Sequence, residues 1–330
     1  MDFNNYIEEK VIESKETIKG KAIIAVSGGV DSSVAAAIVG KAIGENLHAI
    51  FVDTGYMRKN EGENVIEALH SVGINATLVD AADEFYSATE LPNGTHYQLP
   101  LEQVVEPEIK RKIIGTKFIK IFEREAKKVG AEYLIQGTIA PDWIESGDGK
   151  IRDNIKSHHN VGALPEKMGL KLYEPNHELY KDEVRKAGRA FGFPKYITER
   201  QPFPGPGLAI RVIGPPNREN IAVVREANAI LEEGIESAVE SGKMEAPQQY
   251  LAVYLPGVKT VGVHGDVRSY AGAIALRCFS TSDFMSGIFS KVDLNVIEII
   301  STKITNTLKD KINRVVYDVT NKPPGTTEWE

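Results

Sequence analysis

The chain has 330 residues, 42% of them hydrophobic and 26% charged, with a formal net charge of −7 and a single cysteine. These values fit two ordinary globular domains of about 150 residues each, and they exclude the basic footprint of a general nucleic-acid binder but not a site for a small anion. Cys278 has no second cysteine to pair with, and no apolar run approaches the ~18 residues of a membrane span, so a cytoplasmic protein with no membrane and no nucleic-acid partner is expected.

In chain order, Phe3, Ile7, Val11 and Ile18 mark one face of an amphipathic first helix, where a signal peptide would need an apolar stretch. "AIIAV" (22–26) reads as a buried strand that breaks at two glycines and resumes as a helix over 32–43. "LHAIFVD" (47–53), "NATLVDA" (75–81) and "EYLIQGT" (132–138) are further strands, with helices over about 61–72 and 107–129 between them. Ile114, Phe118, Ile121, Phe122 and Val129 share a face of the longer helix, and Gly130 stops it. Strands alternating with helices predict an α/β fold with a doubly wound, mostly parallel sheet, whose ligands sit at the carboxyl ends of the strands. Residues 145–170 are rich in Gly, Lys and His without a period and read as a long functional loop. "KDEVRKAGRAFGFP" (181–194) gives one more helix, and "QPFPGPG" (201–207) marks the domain boundary.

Beyond the boundary, "LAIRVIG" alternates like a half-buried strand and residues 217–241 read as a helix. Strands follow at "QYLAVYL", "TVGVHG" and "AGAIALRCF", then a helix over about 291–311 and a last strand at "RVVYDV". This is an α+β domain with a sheet face suited to pairing with a second copy.

The break after the first strand, Ser27-Gly28-Gly29-Val30-Asp31-Ser32-Ser33, has its own logic. A strand that turns on glycines into a helix gathers backbone N–H groups and the positive helix end at one point, which is an anion site. Gly28 and Gly29 permit the tight turn, the three serines add hydroxyl donors, and Asp31 can hold magnesium between phosphates. Neither the Walker pattern nor the Rossmann glycine pattern is present. The plain alternative is an N-capped helix with Asp31 or Ser32 as the cap.

"SGGVDSS" in this setting resembles the pyrophosphate loop of the ATP pyrophosphatase superfamily, whose members cleave ATP between its α- and β-phosphates. "QGTIAPDWIES" (136–146), "IKSHHNVGALPE" (155–166), "QPFPGPGLAIRV" (201–212) and "YDVTNKPPGTTEWE" (317–330) together resemble the GMP synthetases within it. Two departures are Arg200-Gln201, where many relatives carry Arg-His, and Ile139, where leucine is usual after Gly-Thr.

The resemblance implies synthesis of GMP from XMP, ATP and ammonia through an adenylyl-XMP intermediate, with magnesium accompanying ATP. It implies an ATP-pyrophosphatase domain over 1–200, with a lid at about 142–171, and a dimerisation and XMP-binding domain over 201–330. Ser27, Gly28, Gly29, Val30, Asp31, Ser32 and Ser33 would hold the departing pyrophosphate, and adenine would touch Val52 and Gly137. Lys156, His158 and His159 would reach the phosphates from the lid, with Asp142 and Glu145 on its hinge side. Arg111, Asp266, Arg268, Lys322 and Glu328 would bind XMP, between the domains or across a homodimer interface.

Without the resemblance, "EIKRKIIG" (108–115) is a solvated charge run and His158-His159 an exposed polar loop. Zinc is disfavoured at the histidines because no cysteine and no H-x-x-x-H spacing accompany them. "FVDTG" (51–55) looks like half of an aspartic-protease site but has no second half. NAD synthetase, an amidating ligase of the same superfamily, is the rival, and it leaves residues 201–330 unexplained. A class I glutaminase needs a nucleophilic cysteine, whereas Cys278 lies in the strand-like "ALRCF" and the chain starts about 20 residues before the loop. A separate glutaminase subunit is therefore expected as the source of ammonia.

Overall fold

Ala22–Ala25 (β1) is a short run of small and branched apolar residues whose first three are buried, as a strand covered on both faces requires. Leu47–Asp53 (β2), Ala76–Asp80 (β3), Tyr133–Ile135 (β4) and Lys171–Tyr173 (β5) join it in the order β3-β2-β1-β4-β5. Every pairing is parallel. The chain runs outward from β1 through β2 to β3, then returns to β1's other edge as β4, so the order reverses between β1 and β4. That reversal creates the crevice in which open α/β sheets bind ligands. The strand at β5 was not expected: three residues, mostly exposed, carry no alternation to read.

The computed structural model describes residues 3–141, 169–264, 267–281 and 286–330. They form two compact units. The first comprises Met1–Thr54, Asn60–Ala82 and Gly115–Pro202. The second comprises Gly55–Lys59, Asp83–Ile114 and Phe203–Glu330, so it also takes in two segments that precede residue 200.

In the first unit, Phe3–Thr17 (α1), Val30–Ile43 (α2) and Glu61–Ser71 (α3) precede Ala82–Tyr86 (α4) and Pro107–Val129 (α5), elements the unit boundary cuts. Lys181–Phe191 (α6) and Lys195–Thr198 (α7) follow. Tyr6 of α1, Val30, Val34 and Ile38 of α2, and Val184 and Ala187 of α6 pack with Ile139 and Leu179 into one apolar cluster. This core clamps α2, and with it the loop that leads into α2.

The second unit is built on Gln249–His264 (β6) and Val267–Ser280 (β7), antiparallel over their length, with a register irregularity between Leu255 and Thr260. "QYLAVYL" and "TVGVHG" are therefore one strand rather than two. Ile288–Phe289 (β8) pairs β7 antiparallel and Ile312–Tyr317 (β9) pairs it parallel. Arg218–Glu240 (α8) packs against β6 and against Leu294–Thr307 (α9).

"LAIRVIG" is not a strand. Gly207–Arg211 is a turn of 3₁₀ helix whose five residues are all buried. Gly207 sets the bend: its φ is +63°, its N–H donates to Pro204 O at 2.9 Å, and a Cβ there would lie 2.4 Å from Tyr56 O. Leu208 N–H then donates to Tyr56 O at 2.8 Å. The apolar alternation came from burial on all sides, not from a two-faced sheet.

Candidate active site

The turn after β1 leaves little freedom. Gly28 has φ +77°, and a Cβ there would lie 2.1 Å from Arg200 Nη1 and 2.6 Å from Val65 Cγ2, so only glycine fits. Gly29 caps α2 in an extended conformation, with φ −74° and ψ 150°, and no side chain caps the helix. Asp31 and Ser32 lie inside α2 and are not its caps, which removes the plain explanation of the motif. Without a side-chain acceptor, the first-turn N–H groups and the positive helix end present an anion site.

The serines brace this turn. Ser27 N–H donates to Ser32 Oγ at 3.2 Å, and the Ser32 hydroxyl donates to Gly29 O at 3.2 Å. Ser33 is fully buried and its hydroxyl donates to Gly29 O at 2.9 Å, so it acts here as a brace rather than a free donor. Gly137, just beyond β4, packs against the same turn, and a Cβ there would lie 2.7 Å from Asp31 C and from Ser32 N. The two strands flanking the sheet's reversal thus meet at the loop. Val52 is buried in β2, with Asp53 at that strand's carboxyl end.

Asp31 is held from two sides. Its Oδ2 accepts from Lys181 Nζ at 2.5 Å, and its backbone carbonyl accepts from Asn176 Nδ2 at 2.8 Å. Its Oδ1 is buried with no hydrogen-bond donor among the described residues. Lys181 escaped the sequence reading, although a signal was present: it is the first residue of α6, where the helix dipole disfavours a cation. Behind the turn, Arg200 donates from Nη1 to Ser27 O at 3.2 Å and from Nη2 to Glu61.

In the second unit, buried cations grip the last residues. Arg211 is 3% exposed and bonds Glu328 bidentately, Nε to Oε2 at 3.0 Å and Nη2 to Oε1 at 2.8 Å. Arg277 is 1% exposed and donates to Asp318 Oδ2 and to the carbonyls of Thr320, Thr326 and Thr327. Lys110 is fully buried and donates to Val212 O at 2.9 Å and Glu330 Oε2 at 2.5 Å, while Arg111 donates to Glu330 O. Burial pushes Lys110 below the ordinary lysine range and Glu330 above the ordinary glutamate range, each against the pull of the other's charge. Lys322 Nζ lies 3.4 Å from Thr327 Oγ1.

Arg111, Lys322 and Glu328 are therefore gathered along the tail. Arg268 lies on β7, exposed, opposite Val263 near the end of the β6–β7 pair. Asp142, Glu145, Lys156, His158, His159 and Asp266 lie outside the described residues.

Comparison with known proteins decides the family. A model described as GMP synthase C terminal domain matches residues 236–329, and one described as NAD synthase matches residues 2–114. The chain is 53% identical to one of the subunits of the glutamine-hydrolyzing GMP synthase of Pyrococcus horikoshii, over the whole of both chains. The chain belongs to the GMP synthase family. It is also 46% identical to the glutamine-hydrolyzing GMP synthase of Aquifex aeolicus, its full length matching 62% of that protein. A solved NMN synthetase from Francisella tularensis aligns with 75% of this chain and 90% of its own, at 15% identity and a TM-score of 0.44. Within the family, Arg268, Lys322 and Glu328 fall in the matched C-terminal segment, whereas Arg111 falls in the N-terminal one.

Proposed function

We propose that this chain is the ATP-pyrophosphatase subunit of a GMP synthase, a ligase that makes GMP, AMP and pyrophosphate from XMP, ATP and ammonia. The observation that carries the reading is an uncapped helix start behind Gly28-Gly29 in a chain alike from end to end to a subunit of a known GMP synthase. NAD synthetase shares the N-terminal match but offers nothing for residues 236–329.

The C2 carbonyl of XMP is urea-like and a poor electrophile. Transfer of the adenylyl group to its oxygen makes AMP a leaving group, which ammonia then displaces. The α–β phosphate bond breaks in the first step, and the negative charge that develops on pyrophosphate needs N–H donors and cations already in place. The first turn of α2 supplies the donors, and Lys181 supplies a cation beside Asp31. Magnesium fits Asp31 on donor chemistry, since Oδ1 is a hard carboxylate oxygen, buried and unpartnered among the described residues. When bound there, it screens the phosphate charges. Val52 and Gly137 border the adenine position, and Arg111, Asp266, Arg268, Lys322 and Glu328 take XMP.

A second copy completes this substrate site. Arg268 lies nine residues along β7 from Arg277, about 30 Å at strand rise, so it reaches a nucleotide at the tail from another protomer. Val261, Val263, Val267 and Tyr270 are all exposed on the same end of the β6–β7 pair, which suits burial in a homodimer. Ammonia comes from a separate glutaminase subunit; the full-length relative from Pyrococcus horikoshii is itself named as one subunit of a glutamine-hydrolyzing enzyme, which supports this. A cytoplasmic location fits the lone buried cysteine.

Pyrophosphate release measured with XMP and with deamido-NAD, each with ammonia or glutamine, tests the reading. Turnover is expected with XMP and ammonia alone; turnover with deamido-NAD, or with glutamine in the absence of a partner, overturns it. Mixing Arg268→Ala with Glu328→Ala chains tests the shared site, because mixed dimers then retain one intact XMP site and recover activity that neither variant shows alone.

A further inference from the structure

We infer that Arg200, braced by Glu61, is a positioning residue that sets the pyrophosphate loop in its anion-binding shape; this rests on the proposed role of residues 27–33. A loop of this kind works only if its N–H groups face the ligand and its carbonyls turn away, because a carbonyl oxygen aimed at a phosphate repels it. Ser27 contributes the carbonyl at the entrance to the turn. Arg200 Nη1 donates to that carbonyl at 3.2 Å and so draws it to the protein side. The same nitrogen lies 2.1 Å from where a Cβ of residue 28 would stand, so the guanidinium backs directly onto the left-handed glycine.

Glu61 fixes the other half of the fork. It is the first residue of α3, where a carboxylate is favoured by the helix dipole, and it accepts from Arg200 Nη2. The two side chains are only 10% and 5% exposed, so each is the compensation for the other's burial. Asn60, which caps α3 at φ 55° and is the one described non-glycine residue with positive φ, leads directly into Glu61. With Nη1 on the Ser27 carbonyl and Nη2 on Glu61, Arg200 acts through the backbone of the loop.

The test measures binding of inorganic pyrophosphate to the full chain by calorimetry, together with KM for XMP and for ATP with ammonia, in Arg200→Ala, Arg200→Lys and Glu61→Gln. Arg200→Ala is expected to weaken pyrophosphate binding and raise KM for ATP by at least about tenfold while KM for XMP moves by less than about twofold. Added guanidinium should restore pyrophosphate binding to Arg200→Ala, and Arg200→Lys, which can reach one partner at a time, should fall between it and the parent. Should Arg200→Ala fail to fold, the Lys and Gln variants carry the same comparison. The inference is overturned if folded variants bind pyrophosphate like the parent. It is equally overturned if ATP and XMP parameters fall together with no guanidinium rescue, which is the mark of a merely structural prop. A parent that binds pyrophosphate yet makes no GMP refutes the proposed function and leaves the positioning role standing.

Discussion

Removing the Glu328 carboxylate separates two views of the C-terminal tail. Terminal residues are ordinarily frayed and dispensable, and on that view Glu328→Ala changes neither stability nor XMP use. The structure points the other way. Glu328 accepts two hydrogen bonds from Arg211, whose side chain is 3% exposed, and that guanidinium also lies 5.0 Å from the Phe203 ring centroid and donates to Asn228 Oδ1. Alanine at 328 leaves a buried guanidinium without its counter-charge. Breaking a buried pair in this one-sided way costs about 3–5 kcal/mol. For a unit of ~150–250 residues, that is a fall in melting temperature of roughly 6–20 °C.

The double variant Arg211→Met/Glu328→Ala removes the stranded charge as well as its partner. It is expected to regain most of the loss, with about 1 kcal/mol remaining for the weakened satisfaction of Asn228. Its XMP use should stay poor, with KM raised about ten- to a hundredfold, the worth of a charge-assisted hydrogen bond to the purine. Thermal melts and pyrophosphate release at varied XMP read the two effects apart. A Glu328→Ala chain that melts with the parent, or a double variant less stable than the single one, refutes the reasoning.

Asp31→Ala should abolish XMP-dependent pyrophosphate release at little cost to the fold, because the Lys181–Asp31 pair is 43% and 27% exposed and such pairs contribute about 0–1 kcal/mol. A folded variant with near-normal turnover sinks the loop assignment. Cys278 is buried, and burial pushes its thiol up to about 12, so alkylation at pH 8 should proceed only at the rate of unfolding; rapid labelling of the native chain contradicts this. Burial alone would raise the Asp318 carboxyl, but hydrogen bonds from Thr320 and Trp329 and the Arg277 charge outweigh it and hold the group below its ordinary value. Its contribution to stability is therefore present above the ordinary carboxylate value and lost as pH falls through the lowered one, and Asp318→Asn should flatten that acid limb in melts taken from neutral to acid pH.

What could be read in advance is what leaves a period. β2 and α5 match the expected spans of 47–53 and 107–129, because there the apolar pattern and the face that the fold buries agree. β5 and β8, three and two residues long, carry too few positions to show one. "LAIRVIG" failed for a different reason: alternation distinguishes a strand only when one face meets water, and here Gly207–Arg211 is buried throughout. The loop was visible because glycine in a turn is a backbone requirement written in a single residue, as Gly28 at φ +77° shows.

The partners of Asp31, Ser27 and Glu328 were invisible because a charged residue in a sequence looks the same whether it is solvated or buried. Lys181 reaches Asp31 across 150 positions, Arg200 reaches Ser27 across 173, and Arg211 reaches Glu328 across 117. None of these partners can be in place until the sheet and the helices that carry them have formed. The heptapeptide at 27–33 therefore does not by itself set the charge around Asp31. The cation beside Asp31 arrives on α6, and the brace behind Ser27 arrives just after α7. A motif completed from outside in this way can serve ligases with different second substrates. On the proposed reading, the N-terminal segment that matches an NAD synthase model supplies the shared nucleotide chemistry, and the second substrate is chosen largely by residues of the segment that matches the GMP synthase model.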